Sequence, residues 1–157
     1  MKNGMKRLRL VGFIVLVLVS LTGCWRKREV EAAIDRLVPA SSYEVISYQE
    51  RYETKGQSRT YLIETTIRFK DPVYLSSLDE VGYKRYKPIP FMSTQLTLKS
   101  KLIRGRGAKP VEFLSMKDDD IDFDYLLKGA YQAGQYQRIA YTFNELKAKH
   151  GNALLAP

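Results

Sequence analysis

From Arg59 to Lys70 the chain alternates. Tyr61, Ile63, Thr65, Ile67 and Phe69 fall on one face, and Glu64, Thr66, Arg68 and Lys70 on the other. A period of two belongs to a strand with one buried side. It directs the chain toward an antiparallel sheet that is covered on one face and wet on the other. Tyr43 to Thr54 reads as the partner strand, joined through Lys55-Gly56-Gln57-Ser58. Its alternation is less regular, because Ile46, Tyr48 and Tyr52 share a face with Glu44 and Glu50. Asp71-Pro72 is expected to end the hairpin, since proline gives no N–H to a ladder.

A third strand is expected from Phe91 to Arg104, with Met92, Thr94, Leu96, Leu98, Ser100 and Leu102 on its inner face. The turn Arg104-Gly105-Arg106-Gly107-Ala108-Lys109-Pro110 leads to a fourth strand, Val111 to Lys117. Between the two hairpins lies a long connection, Val73 to Pro90, in which Leu75, Leu78 and Val81 have the spacing of one or two helical turns. Lys27 to Val38 reads as a helix, with Val30, Ala33, Ile34, Leu37 and Val38 in one stripe, and Pro39 ends it. Phe123, Leu126, Leu127, Ala130 and Tyr131 make a second helical stripe. Tyr136, Ile139, Ala140, Phe143 and Leu146 make a third. These last two are out of phase, so the break is placed at Ala133-Gly134-Gln135 and a helical hairpin is predicted. The expected fold class is α+β: an N-terminal helix, an antiparallel sheet of about four strands and a C-terminal helical hairpin. The order of elements is similar to that of cystatin-like or nuclear-transport-factor-like domains, as topology alone.

The first 23 residues stand apart. Lys2, Lys6, Arg7 and Arg9 precede an apolar run of 12 residues, Leu10 to Leu21, and small residues follow. This is the layout of an export signal. A spanning helix needs about 20 apolar residues, so the run is short for a membrane span. An uncleaved signal anchor and an ordinary cleaved signal that leaves a free thiol are the alternatives. Leu21-Thr22-Gly23-Cys24 resembles the lipobox of bacterial lipoproteins. The resemblance implies that the Cys24 thiol receives a diacylglyceryl group and that a peptidase cuts between Gly23 and Cys24. The new amine then takes a further acyl chain such as palmitate. Residues 1–23 are thus expected to be a signal peptide, and residues 24–157 a single lipid-anchored domain. Lipoproteins of two-membrane bacteria that keep Asp after the cysteine stay at the inner membrane. Trp25 departs from that pattern and implies the periplasmic side of the outer membrane. In a one-membrane host the address is the outer face of the plasma membrane.

Trp25-Arg26-Lys27-Arg28 suits a headgroup layer, where rings and cations both find partners. Otherwise Trp25 starts to pack under the domain. The whole chain has 26 Lys and Arg against 17 Asp and Glu. Four of the cations belong to the leader, so 22 against 17 leaves the mature chain at +5. That balance suits anionic headgroups, phosphorylated glycolipids or acidic wall polymers. The export signal argues against nucleic acid. Candidate contacts are Tyr83, Lys84, Arg85, Tyr86 and Lys87 in the long connection, and Arg104, Arg106 and Lys109 in the third turn. Arg and Lys pair with phosphate or carboxylate, and Tyr stacks. The two glycines among cations at 105 and 107 form either a backbone nest for an anion or a hairpin turn that needs positive φ. The run lacks the spacing of a nucleotide-binding loop.

Catalytic groupings are scarce. Cys24 is the sole cysteine, so no intrachain disulfide forms, and an acylated thiol leaves no Cys/His zinc site. His150 is the sole histidine and reads as a helix-end residue. Asp118, Asp119, Asp120, Asp122 and Asp124 have part of a calcium-loop rhythm. Phe123 and Gly129, however, stand where that loop needs Gly and Glu, so helix initiation accounts for them better. Gly134-x-Tyr136 with Phe143 faintly resembles half of a tetratricopeptide unit, but a single copy has no neighbour to bury its face. The expectation is a non-enzymatic envelope lipoprotein without cofactor or metal, a binding or scaffold component of a cell-envelope, secretion or exclusion system. It would be held to the membrane through Cys24 and would meet an envelope protein, an anionic glycolipid or a wall polymer. The alternatives are a small wall- or lipid-modifying enzyme using carboxylates, and an apolar-ligand-binding lipoprotein.

Overall fold

A computed structural model of the chain describes residues 23–75, 91–119 and 121–150, without the side chains of Lys149 and His150. The chain divides into two units at Ala32/Ala33. Residues 23–37 are helical (α1), and the unit boundary falls within this helix. α1 is already helical at Gly23, four residues earlier than expected, so Cys24 to Arg28 occupy its first turns. Val30 is buried in the first unit, and Ile34, Leu37 and Val38 are buried in the second.

The second unit is built on an antiparallel sheet. Its strands are β1 (Tyr43–Lys55), β2 (Ser58–Leu75), β3 (Phe91–Gly105), β4 (Lys109–Asp118) and β5 (Ile121–Asp122), paired in that order. After α2 (Asp124–Ala130) comes a small separate hairpin, β6 (Tyr131–Gln132) with β7 (Gln135–Tyr136). β8 (Ala140–Tyr141) then pairs with the end of β2, and α3 (Phe143–His150) follows. The class is α+β, but two expectations are corrected. The main sheet has six strands rather than about four. The C-terminal helical hairpin is absent: the break at Ala133-Gly134 is the two-residue turn of β6–β7, with φ of 50° and 80°. Positive φ at both central residues matches the twist of a tight β-hairpin. Tyr131 and Phe143, expected in the core, are exposed.

The alternation of β2 translates directly into burial, since Tyr61, Ile63, Thr65, Ile67 and Phe69 are all inside. The same face continues on β3 with Leu96, Leu98, Ser100 and Leu102. Three register shifts explain where the reading slipped. On β1 the pairing jumps between Val45 and Ser47, so Ile46 is extra and turns outward. On β2 the strand does not stop at Asp71-Pro72. It passes through an irregularity between Arg68 and Val73 and ends at Leu75. Proline is tolerated at a bulge, where ladder bonds are already broken. The β3 face changes phase at the same place: Ser93 is buried, while Met92 and Thr94, expected inside, are exposed. On β4, Leu114 is the extra residue between Phe113 and Ser115.

Beyond the start of β1, the edge of β2 is open to another strand. Tyr74 and Leu75 use it to pair with Tyr141 and Ala140. The Ile139 N–H donates to the Leu37 carbonyl at 2.9 Å, which ties this segment to the end of α1. Thr142 and Glu145 then cap α3 reciprocally. The Glu145 N–H donates to Thr142 Oγ1 at 3.2 Å, and the Thr142 N–H donates to Glu145 Oε2 at 2.8 Å.

Candidate partner-contact site

In an up-and-down meander, alternate turns share one end of the sheet. The β1–β2 turn and the β3–β4 turn are therefore neighbours. Ser58 pairs with Gly105 across β2 and β3. The Arg106 N–H donates to the Gln57 carbonyl at 3.4 Å, and the Ser58 hydroxyl donates to the Arg106 carbonyl. The two turns form one structure. Residues 51–57 and 105–110 are exposed throughout.

The structure brings Arg104, Arg106 and Lys109 together, and adds Lys55 and Arg59, which were not singled out from the sequence. The available signal was the parity of the meander together with the cations flanking both turns. Arg59 and Arg104 are directly opposite across β2 and β3. The Arg59 guanidinium carbon lies 4.7 Å from the Tyr52 ring centroid, and Arg59 Nη1 donates to the Tyr61 hydroxyl at 3.5 Å. The Tyr52 and Tyr61 rings are 5.8 Å apart. Lys109 sits opposite Ile103, on the other face of the sheet. Residues 55–59 and 104–109 thus hold five cations and no acid. Of the two readings of Gly105 and Gly107, the hairpin turn is the one observed, with φ of 90° and 81°. The Arg106 N–H is engaged by Gln57, and the Ala108 N–H donates to the Gly105 carbonyl at 3.2 Å. What the tip offers an anion is side-chain charge.

Tyr83, Lys84, Arg85, Tyr86 and Lys87 lie outside the described residues, as do residues 1–22 of the expected signal peptide. Cys24 is exposed. Trp25 is 70% exposed, Arg28 is exposed, and Arg26 and Lys27 are half-buried. Lys27 Nζ lies 3.9 Å from Glu31 one turn on, a surface pair that contributes little. None of the described helices is long and apolar enough to cross a membrane.

The outward face of the sheet is laced with cross-strand ion pairs. Arg68–Glu44 spans 3.7 Å, Lys99–Glu64 3.5 Å and Lys101–Glu112 2.9 Å. A groove of about 400 Å³ lies there, lined in part by Gln49, Arg51, Leu62, Glu64, Lys99 and Leu114. Of its two carboxylates, Glu64 faces Lys99 and Glu50 accepts the Tyr48 hydroxyl at 2.9 Å, so it has the character of a wet, half-apolar surface.

The aspartates do structural work. Asp118 pairs with Ile121 in the β4–β5 hairpin, and Asp119 has a φ of 46° in its turn. Among the described residues of the run, Asp122 and Asp124 serve the start of α2 as expected. The Asp124 N–H donates to Asp122 Oδ1 at 2.7 Å, which holds the Asp122 carboxyl below its usual range. Asp124 Oδ1 accepts the Met116 N–H at 2.9 Å. Among the described residues, three or more His, Cys, Asp or Glu side chains are nowhere gathered for a metal.

Comparison with protein-family models, with curated proteins and with solved structures finds no match to this chain.

Proposed function

We propose that the chain is a lipid-anchored envelope lipoprotein whose mature domain is a non-enzymatic binding or scaffold module. The observation that carries this reading is Leu21-Thr22-Gly23-Cys24 behind a basic and then apolar leader, with Cys24 the sole cysteine and exposed. Two or three acyl chains anchor a protein essentially permanently, at about 0.8 kcal/mol per buried CH₂. The domain then works at the membrane on which it sits, as part of a cell-envelope, secretion or exclusion system. Its basic tip supports a contact role, because a cluster of like surface charges favours capture of an anionic partner.

The test is the intact mass of the protein extracted from host membranes. A chain that starts at Cys24 and carries diacylglyceryl is the expected result. A chain that starts at Met1, or one with no lipid mass, would remove the proposal. Partner contact is tested separately. Lys84, Arg85 and Lys87 changed together to Glu should abolish in-cell crosslinking to the partner while circular dichroism stays unchanged. Undiminished capture would discard that loop as a contact.

A further inference from the structure

We propose that the joined hairpin tips are a membrane-docking surface that contacts the phosphates of anionic lipid headgroups. This deepens the lipoprotein reading and rests on it for location, while the chemistry stands on the tip itself. Lys55, Arg59, Arg104, Arg106 and Lys109 account for a charge of +5. No acid falls within residues 55–59 or 104–109, so this end of the sheet is locally positive.

The layout favours a surface over a single bound anion. Arg59 and Arg104 lie on the inward face, Lys109 on the outward face and Arg106 in the turn between them. A Cβ at Gly56 or Gly107 would meet nothing within 4 Å, so these turns project into open space. A small anion needs donors that converge, whereas cations spread around a projecting tip match a plane of laterally mobile charges. Tyr52, 58% exposed beside Arg59, adds an amphipathic ring of the kind that settles at headgroup level.

The test uses the acylated full-length protein carrying Gln57→Cys, labelled there with an environment-sensitive dye. It is reconstituted into vesicles of phosphatidylcholine alone, or of phosphatidylcholine with one third phosphatidylglycerol. A nitroxide on the lipid headgroup quenches a dye that reaches the surface. Quenching should be several-fold stronger in the anionic vesicles. It should fall toward the neutral level in about 1 M salt, where the screening length is about 3 Å. It should weaken about fivefold for each of Lys55→Gln, Arg106→Gln and Lys109→Gln. Equal quenching in the two vesicle types, or no loss in the triple Gln variant, would overturn the proposal. So would a photocrosslinker at position 57 that captures an envelope protein or wall polymer in cells instead of lipid. The salt series needs no charge substitution and stands even if the triple variant misfolds. The mass of the same sample reports on Cys24. If Cys24 carries no lipid, the anchor reading fails. Co-sedimentation of that chain with the two vesicle types then still decides the tip.

Discussion

The carbonyl oxygen of Gln57 occupies the space where Gly105 would carry a Cβ. Gly105 also has a φ of +90°, in the region that only glycine enters at little cost. Two separate constraints therefore fall on one residue, and both come from the joining of two hairpin tips. Gly105→Ala should cost about 2 kcal/mol or more, by overlap as well as backbone strain. Gly107→Ala, at a φ of +81° but in open space, should cost only about 1 kcal/mol. Urea denaturation of both variants checks this. Equal losses would mean that the contact with Gln57 does not hold the tips together.

Tyr136 reaches from the small hairpin to the main sheet. Its hydroxyl accepts the Phe113 N–H at 2.8 Å, at the β4 bulge, and its ring meets Phe113 edge-on at 4.9 Å. Burial pushes the phenol pKa up, although the Phe113 N–H opposes this. Tyr136→Phe keeps the ring contact and leaves one half-buried N–H without its acceptor. The expected loss is about 1–2 kcal/mol in thermal or urea unfolding. Tyr136→Leu, which loses the ring as well, should cost more.

Thr65 is buried in the middle of β2, and its hydroxyl has no hydrogen-bond partner among the described residues. A buried hydroxyl that bonds nothing destabilises the fold, while a methyl of the same size does not. Thr65→Val should therefore stabilise the domain by about 1 kcal/mol, read as a higher urea midpoint. A clear loss would show that the hydroxyl has a partner such as a buried water.

Glu145 links β8 to α3. Its carboxylate accepts two bonds from Arg138 Nη2, at 2.8 Å and 2.7 Å, besides the Thr142 N–H. Burial alone would raise its pKa. The Thr142 N–H and the Arg138 guanidinium outweigh that, and the net shift is below the ordinary value of 4.5. A carboxyl depressed in the folded state adds stability that is complete above its unfolded pKa and is lost as pH falls through the folded one. Acid should thus loosen α3 progressively below about pH 4.5. In Glu145→Gln the acid-induced part of that loss should vanish, leaving a flatter pH profile. A carboxyl NMR titration with its midpoint at or above the ordinary value would contradict this.

Much of the sheet was legible because its signals are local. The period of two in β2 needs only one wet and one dry side, and the two-residue turn at Gly56-Gln57 carries its own geometry. The irregular alternation of β1 was also a true signal, of the extra residue at Ile46. The capping box Thr142-x-x-Glu145 marks where the last helix begins, inside the apolar stripe that runs from Tyr136 to Leu146. The stripe from Tyr136 to Leu146 misled because apolar residues three and four apart also fit a hairpin, a bridge and one helical turn in series.

The residues alone determined the basic and then apolar start, the single cysteine, the amphipathic first helix and the antiparallel hairpins. Each follows from spacing along the chain, and none needs a distant partner. Tertiary contact decided the rest. Ala140 and Tyr141 became a strand because β2 runs on past Pro72 and leaves an edge with unpaired N–H and C=O groups, which must be satisfied. Lys55 and Arg59 joined Arg104, Arg106 and Lys109 because the pairing register sets Ser58 against Gly105. Register couples residues some fifty positions apart, and the sequence of either hairpin alone does not contain it.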